Sequence, residues 1–161
     1  MGNRILTPTD GSEPAGDAIR LAIQMAGKLG LSLVALRVVD VDRYASEFMA
    51  IRETVSRDLE EQAQRILAEA KSMTEDTGIE METLVRHGDS SREIIRFAQE
   101  NSDVVLIIMG ASGRRRLGRQ LIGSTAERVV RQVGRDLPCA VMIAPCRVCN
   151  PDARLELMGE L

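Results

Sequence analysis

The sequence predicts one α/β domain, an open, doubly wound sheet (Rossmann-like, flavodoxin-like) of five parallel strands in the order 3-2-1-4-5, with helices on both faces. Three observations predict it. Five apolar runs of strand length alternate with amphipathic segments of helical period along the 161 residues. The connections between the runs are too long for hairpins and require crossovers. The central runs are continuously apolar, as is typical of parallel strands that are covered on both faces.

The first strand is expected at RILTPT (4–9), where the apolar run stops at the turn residues Asp10, Gly11 and Ser12. A helix should follow, since Ser12 can cap its first turn and Pro14 fits there. Apolar residues then recur three or four apart, which predicts one buried stripe. Gly30 ends this helix.

The second strand is expected at LSLVALRVVD (31–40), and a polar stretch separates it from the next helix. That helix is predicted over about residues 51–76, with Gly78 ending it. METLVRHG (81–88) alternates polar and apolar residues, which indicates a weaker strand near an edge of the sheet.

Ser90 and Ser91 are the predicted caps of the third helix, REIIRFAQENS. DVVLIIMG (103–110) has the strongest strand pattern in the chain. A fourth helix is expected over 124–134, and PCAVMIAP (138–145) is the last strand, bracketed by prolines. These elements complete the βαβαβαβαβ order of a doubly wound sheet.

Composition and charge exclude several classes of protein. The chain is 44% hydrophobic and 28% charged, with a formal net charge of −3, so we expect no nucleic acid or anionic membrane as a partner. Aromatic residues make up 2%, too few for a base-stacking platform. No apolar run reaches membrane-spanning length, and the N-terminus lacks the apolar core of a signal peptide. The expected compartment is the cytoplasm.

The cysteines and the lone histidine give weak signals. Three cysteines, Cys139, Cys146 and Cys149, argue against a disulfide framework. Cys146 and Cys149 form a C-x-x-C, for which redox sensing or a shared metal stays an alternative to ordinary reduced thiols. His87 has no evident carboxylate to orient it, so we expect a surface residue. The domain is expected to span residues 1–145, followed by a tail at 146–161.

Two glycine-containing turns mark the expected ligand site. In a 3-2-1-4-5 sheet the first and fourth strands are neighbours, so the turns that follow them converge at the switch point. Gly110 and Gly113 can turn sharply and present N–H groups to an anion. Gly123 opens the fourth helix, where backbone N–H groups favour a phosphate. An arginine of the loop, such as Arg114, can reach phosphate oxygens.

Common phosphate-binding and phosphate-accepting motifs do not fit. GRQLIGST has the outline of a Walker A loop, but Ser124 stands where the lysine belongs. Gly110 and Gly113 are three residues apart, so the G-x-G-x-x-G of dinucleotide-binding folds is absent. A phosphate-accepting receiver domain would need an aspartate at the end of strand three, where His87 and Gly88 stand.

The remaining pattern, Gly110-x2-Gly113-x9-Gly123-Ser124, resembles the nucleotide-binding motif of the universal stress protein family in its ATP-binding branch. The resemblance extends over residues 4–145. It includes the segments ILTPTDGSEPAGDAI, LVALRVVD, DVVLIIMGASG and GSTAERVVRQVGRDLPCAVMIAP, in this order.

The resemblance implies a role for each position. Asp10 would face the ribose or a phosphate-bound metal ion, Pro8 and Thr9 would line the adenosine pocket, and Val38 would meet the adenine through its backbone. The residues that would hold the phosphates are Gly110, Gly113, Gly123, Ser124 and Thr125. The sequence departs from the common pattern in its arginine-rich loop and at Arg37, where many relatives have histidine.

The function that the resemblance implies is nucleotide-dependent regulation. The ligand would be ATP, or ADP or AMP, with Mg²⁺ or Mn²⁺ held through the phosphates. The partner would be a second copy paired through the last strand, Cys139 to Ala144, besides an unknown protein. No catalytic residue is assigned. A slow ATPase or phosphotransferase, and an interaction protein that binds no nucleotide, stay open as alternatives.

Overall fold

The computed structural model describes residues 3–42, 49–111 and 122–145, and for residues 49 and 50 the backbone alone. Nine strands and helices are described in these ranges. In chain order they are β1 (Arg4–Pro8), α1 (Glu13–Leu29), β2 (Ser32–Val39), α2 (Met49–Ser72), β3 (Met81–His87), α3 (Ser90–Glu100), β4 (Val104–Gly110), α4 (Ser124–Val130) and β5 (Ala140–Ala144).

The strands form one parallel sheet in the order β3-β2-β1-β4-β5. The predicted fold class and strand order are therefore confirmed. β1 lies between β2 and β4, with Pro8 opposite Leu36 and Leu6 opposite Ile107. The carboxyl ends of β1 and β4 consequently meet at the switch point of the sheet.

Each face of the sheet has its own apolar core. One core joins Ile5, Leu33 and Ile108 to the buried side chains of α1 and α2, and we call this side the α1/α2 face. The other joins Leu6 and Ile107 to those of α3 and α4 and is the α3/α4 face. Because side chains alternate along each strand, successive residues pack into opposite cores.

The ends of α1 agree with the prediction. Ser12 caps it, since its Oγ accepts the Ala15 N–H at 3.4 Å, and a proline lies in the first turn. Gly30 follows the last turn with φ of 65°, a left-handed conformation in which a Cβ would be unfavourable.

Three other helices differ from the prediction at one or both ends. Asp89, and neither Ser90 nor Ser91, caps α3, because its carboxylate accepts the Arg92 N–H at 3.0 Å. The helix α2 begins at Met49 and ends at Ser72, both earlier than expected. Around Ser72 and beyond it, carbonyl oxygens accept hydrogen bonds from threonine hydroxyls and from the N–H groups of tight turns, and the helix does not continue. The helix α4 stops at Val130, and turns carry the chain on to β5.

At the amino end of the sheet, Arg4 joins three elements. Its Nη1 lies 2.7 Å from Glu82 of β3, and its Nε lies 2.7 Å from Asp103, just before β4. Because Arg4 and Asp103 are mostly buried, this cluster is screened less than an exposed ion pair. No helix in the described ranges is long and apolar enough to cross a membrane.

Candidate functional site

The turn after β1 is fixed by its own side chains. Thr9 Oγ1 accepts the Gly11 N–H at 3.2 Å, and Asp10 Oδ1 accepts the Ser12 N–H at 3.0 Å. Gly11 has φ of 77°, which a residue without a Cβ adopts at no cost. The turn therefore holds the Asp10 carboxylate at the carboxyl end of β1, where the sequence placed it.

The end of β4 lies directly against the first turn of α1. A Cβ on Gly110 would lie 2.7 Å from the carbonyl oxygen of Pro14 and 3.1 Å from the Ala15 nitrogen. Such distances are too short for a side chain, so this contact requires glycine. The turn after β1 and the end of β4 are thus brought together, as the strand order predicts.

The start of α4 is hydrogen-bonded to the residue that follows β4. The Gly123 N–H donates to the Ala111 carbonyl oxygen at 2.5 Å, which closes the loop between β4 and α4 at its base. Gly123 is the N-terminal cap and supplies no side-chain bond. Ser124 is exposed and Thr125 is half-buried, so at least one hydroxyl faces solvent beside the end of β4. Since α4 spans only seven residues, its dipole contributes less than that of a long helix.

The backbone of Val38 points toward the turn after β1. The Thr9 N–H donates to the Leu36 carbonyl oxygen at 2.9 Å, and the β1–β2 ladder ends at Pro8 and Leu36. Backbone groups two residues apart in a strand point to the same edge. The N–H and C=O of Val38 therefore face the β1 side of β2, at a level where β1 has already ended. A ligand at this place could form hydrogen bonds with both groups.

Three apolar side chains share the α3/α4 face at this edge. Pro8 is the last residue of β1, and Val38 and Met109 are the last but one of the adjacent β2 and β4; all three are buried. Met109 is not among the residues expected from the sequence, although it stands one residue before Gly110 and two after Ile107, so strand alternation could have placed it on this face. Arg37 belongs by the same alternation to the opposite face.

A charged pair joins the start of α3 to α4 on the α3/α4 face. Asp89 Oδ2 lies 3.4 Å from Arg128 Nη1 of α4, while Oδ1 accepts the Ser91 hydroxyl at 2.6 Å and the Arg92 N–H. The hydrogen bond from Ser91, followed by the bond from the Arg92 backbone and the nearby arginine charges, holds the pKa of Asp89 below its usual value against the effect of burial. Neither residue of this pair was singled out from the sequence.

His87 has a carboxylate partner, contrary to expectation. Glu60 of α2 approaches its Nε2 to 3.1 Å, a contact between residues far apart in sequence. The histidine side chain is 60% exposed at the end of the edge strand β3. It thus remains a surface residue, two strands away from β1.

Some predicted site residues lie outside the described ranges. They are Gly113, Arg114 and the other loop arginines, together with Cys146, Cys149 and the tail 146–161. Cys139 lies inside them as a free, buried thiol, and burial raises its pKa. A raised pKa lowers the thiolate fraction, so this residue is a poor nucleophile.

Within residues 3–42, 49–111 and 122–145, no three His, Cys, Asp or Glu side chains form a metal-binding group. The single carboxylate of Asp10 at the end of β1 could contribute one ligand to a divalent ion whose other ligands are phosphate oxygens and water. This is the usual arrangement for Mg²⁺ at nucleotide sites.

The fold is that of a doubly wound α/β protein, and the β1/β4 switch point is its candidate ligand site. Residues 1–145 match the model of the universal stress protein family. The chain therefore belongs to the universal stress protein family.

Individual relatives are similar over most of their length. The chain is 36% identical over 133 residues to universal stress protein MJ0531 of Methanocaldococcus jannaschii, covering 80% of this chain and 75% of that protein. The structure of UspA from Lactobacillus plantarum is similar with a TM-score of 0.77 at 26% identity, covering 89% of this chain and 97% of that one. A universal stress protein from Archaeoglobus fulgidus, solved in complex with dAMP, has a TM-score of 0.65 at 18% identity, covering 90% and 98%.

Proposed function

We propose that this protein binds an adenine nucleotide at the carboxyl edge of β1 and β4 and acts as a nucleotide-dependent regulatory module of the stress response. The ligand is ATP, or its products ADP and AMP, with Mg²⁺ or Mn²⁺ held between the phosphates and Asp10. The proposal places the chain in the ATP-binding branch of its family. The dAMP bound by the Archaeoglobus fulgidus protein supports a nucleotide as the ligand class.

The observation that carries the proposal is the hydrogen bond from the Gly123 N–H to the Ala111 carbonyl. It brings the hydroxyls of Ser124 and Thr125 beside the end of β4, which is itself held against α1 through Gly110. The Gly123 N–H is used in this bond, so the donors left for the phosphates are the two hydroxyls and the backbone N–H groups of Ser124, Thr125 and Ala126 in the first turn of α4.

The adenine end of the nucleotide is bound by apolar side chains and by the backbone of β2 beyond the end of β1. The base lies against Pro8 and Val38, and the backbone of Val38 supplies one donor and one acceptor to the adenine edge. Thr9 lines the adenosine pocket beside them, and Asp10 faces the ribose or the metal ion. Gly113 and Arg114, from the loop, complete the phosphate contacts.

The test begins with the protein as purified. The freshly isolated chain is denatured and the supernatant is analysed for released nucleotide, and then ATP, ADP and AMP are titrated calorimetrically with Mg²⁺. Retained adenine nucleotide or a saturable isotherm supports the proposal. No retained nucleotide and no binding at millimolar ATP would refute it.

Two variants and a matched control refine the result. Gly113→Val should abolish binding while the circular dichroism spectrum stays that of the folded protein. Gly27→Ala is the matched control, because its new Cβ would meet only Ile79 Cδ1 at an ordinary 3.8 Å. Steady ADP release that disappears in Asp10→Ala would instead assign slow hydrolysis to the same site.

We also propose that the protein is a homodimer paired through its last strand, the segment from Cys139 to Ala144 that contains β5. β5 ends the sheet opposite β3 and leaves one backbone edge for a partner. Val130 and Val133, which lead from α4 toward this strand, are 40% and 46% exposed. Apolar side chains beside an open strand edge are suited to an interface between two copies.

A further inference from the structure

Arg128 lies one helical turn beyond the proposed phosphate site, within reach of the phosphates of a bound nucleotide. It stands four residues after Ser124 in α4, which is one helical turn, or about 6 Å along the axis and on nearly the same side. Helical side chains lean toward the N-terminus of their helix. The guanidinium therefore extends back toward the level of Ser124, the first hydroxyl of the proposed phosphate site.

The partner of Arg128 is a carboxylate whose position is already determined. Asp89 Oδ1 is engaged by the Ser91 hydroxyl and the Arg92 N–H, and only Oδ2 approaches Arg128 Nη1, at 3.4 Å. The two side chains are 39% and 64% exposed. A long, single contact between exposed groups is weak and easily exchanged.

A phosphate chain is the stronger competitor for this guanidinium. Phosphate oxygens accept two parallel N–H bonds from arginine and carry more charge than one carboxylate. The carboxylate of Asp89 would also repel an approaching polyphosphate. The pair thus combines an attractive and a repulsive element at the border of one site.

From this geometry we propose that Arg128 selects nucleotides by phosphate charge, exchanging its contact with Asp89 for the β- or γ-phosphate when ATP or ADP binds. The inference rests on the proposed nucleotide site and adds its specificity. Arg128 then favours di- and triphosphates over AMP, and Asp89 holds it near the site when no nucleotide is bound.

The experiment is calorimetric titration of ATP and AMP, each with Mg²⁺, into the full chain and three variants. Arg128→Gln should weaken ATP binding about tenfold, the effect of losing one charge-assisted hydrogen bond, and leave AMP within about twofold. Asp89→Asn should tighten ATP binding about twofold to fivefold, because asparagine caps a helix as well as aspartate and removes only the competing charge.

Arg131→Gln is the matched control. Arg131 is likewise an ion-paired arginine of this region, here within one helix with Glu127 at 2.7 Å, but it lies two turns from Ser124. Its loss should leave both affinities unchanged. Thermal unfolding of each variant verifies that the fold is kept.

A purely structural role for the pair predicts a different result. If the contact only holds α4 against α3, Arg128→Gln and Asp89→Asn should weaken ATP and AMP alike, and this would overturn the inference. An unchanged ratio of ATP to AMP affinity in Arg128→Gln would do the same while leaving the proposed site intact. A wild-type protein that binds neither nucleotide would refute the site and its selectivity together.

Discussion

Gly110 and Pro14 are in backbone contact: a Cβ on Gly110 would stand 2.7 Å from the Pro14 carbonyl oxygen. The end of β4 and the first turn of α1 can therefore approach this closely only with glycine at position 110. Because α1 begins at the turn that holds Asp10, the contact fixes the distance between the two halves of the proposed site.

Gly110→Ala should destabilise the protein and weaken nucleotide binding. The new methyl group must push α1 away from β4, and overpacking of this kind costs about 1 to 3 kcal/mol. Urea unfolding measures the loss, and ATP titration measures the effect on the site. Gly16→Ala is the control within α1, where the new Cβ would meet only an arginine side chain at 3.7 Å. It should stabilise the protein by about 0.5 to 1 kcal/mol, and equal stability of the two variants would contradict the proposed contact.

Asp10→Asn should distinguish the role of Asp10 in the turn from its proposed role in metal binding. The amide oxygen can still accept the Ser12 N–H, now 3.0 Å from Oδ1, so the turn and the folding stability should be kept. The charge that would hold a divalent ion is lost. We expect the enhancement of ATP binding by Mg²⁺ to fall to about a tenth, with metal-free AMP binding unchanged. An undiminished Mg²⁺ effect would remove Asp10 from the metal site.

Stability should fall in acid partly through Asp103. The hydrogen bond from Arg4 holds the pKa of this carboxyl below its usual value. The group therefore contributes stability in full above its unfolded pKa of about 3.9, and the contribution is lost as the pH falls through the lower folded pKa.

The comparison that isolates this group is Asp103→Asn against wild type, unfolded by urea between about pH 7 and pH 3. The variant should be about 1 kcal/mol less stable at neutral pH, the value of a partly exposed pair, and the difference should shrink below about pH 4. Asp89 and Glu100, whose pKa values are lowered as well, act equally in both proteins. A difference that is constant with pH would show that Arg4 does not act on Asp103 through charge.

Charges at two exposed valines, one at the end of α4 and one just beyond it, should dissociate the proposed dimer. Light scattering of the wild type should give twice the chain mass of 17.7 kDa, and Val130→Lys with Val133→Lys should give the monomer. Lysine ammonium groups brought together across a buried interface cannot be solvated or paired. Leu29→Lys is the control, since Leu29 is 55% exposed at the end of α1, at the amino edge of the sheet. Loss of the dimer in the control, or its survival in the double variant, would place the interface elsewhere.

Most of the fold could be predicted because its signals are local. Each of these signals acts within a few residues: the hydrophobic period, the serine cap and the glycine with positive φ. The helix α1 shows all three, from Ser12 to Gly30. The choice of Asp89 over Ser90 as the cap of α3 could not be predicted, since any of the three neighbouring residues can cap a helix. The contact of His87 with Glu60 joins β3 to α2 and has no signal in sequence.

The sequence by itself determined the order of the elements, the parallel sheet and the glycine spacing that marks the family, because these follow from chain-local chemistry and from the rules for connecting strands. Only the tertiary structure decided why Gly110 must be glycine and that Asp89 reaches Arg128. Each of these depends on how closely elements distant along the chain approach one another. Such distances are set by packing over the whole sheet.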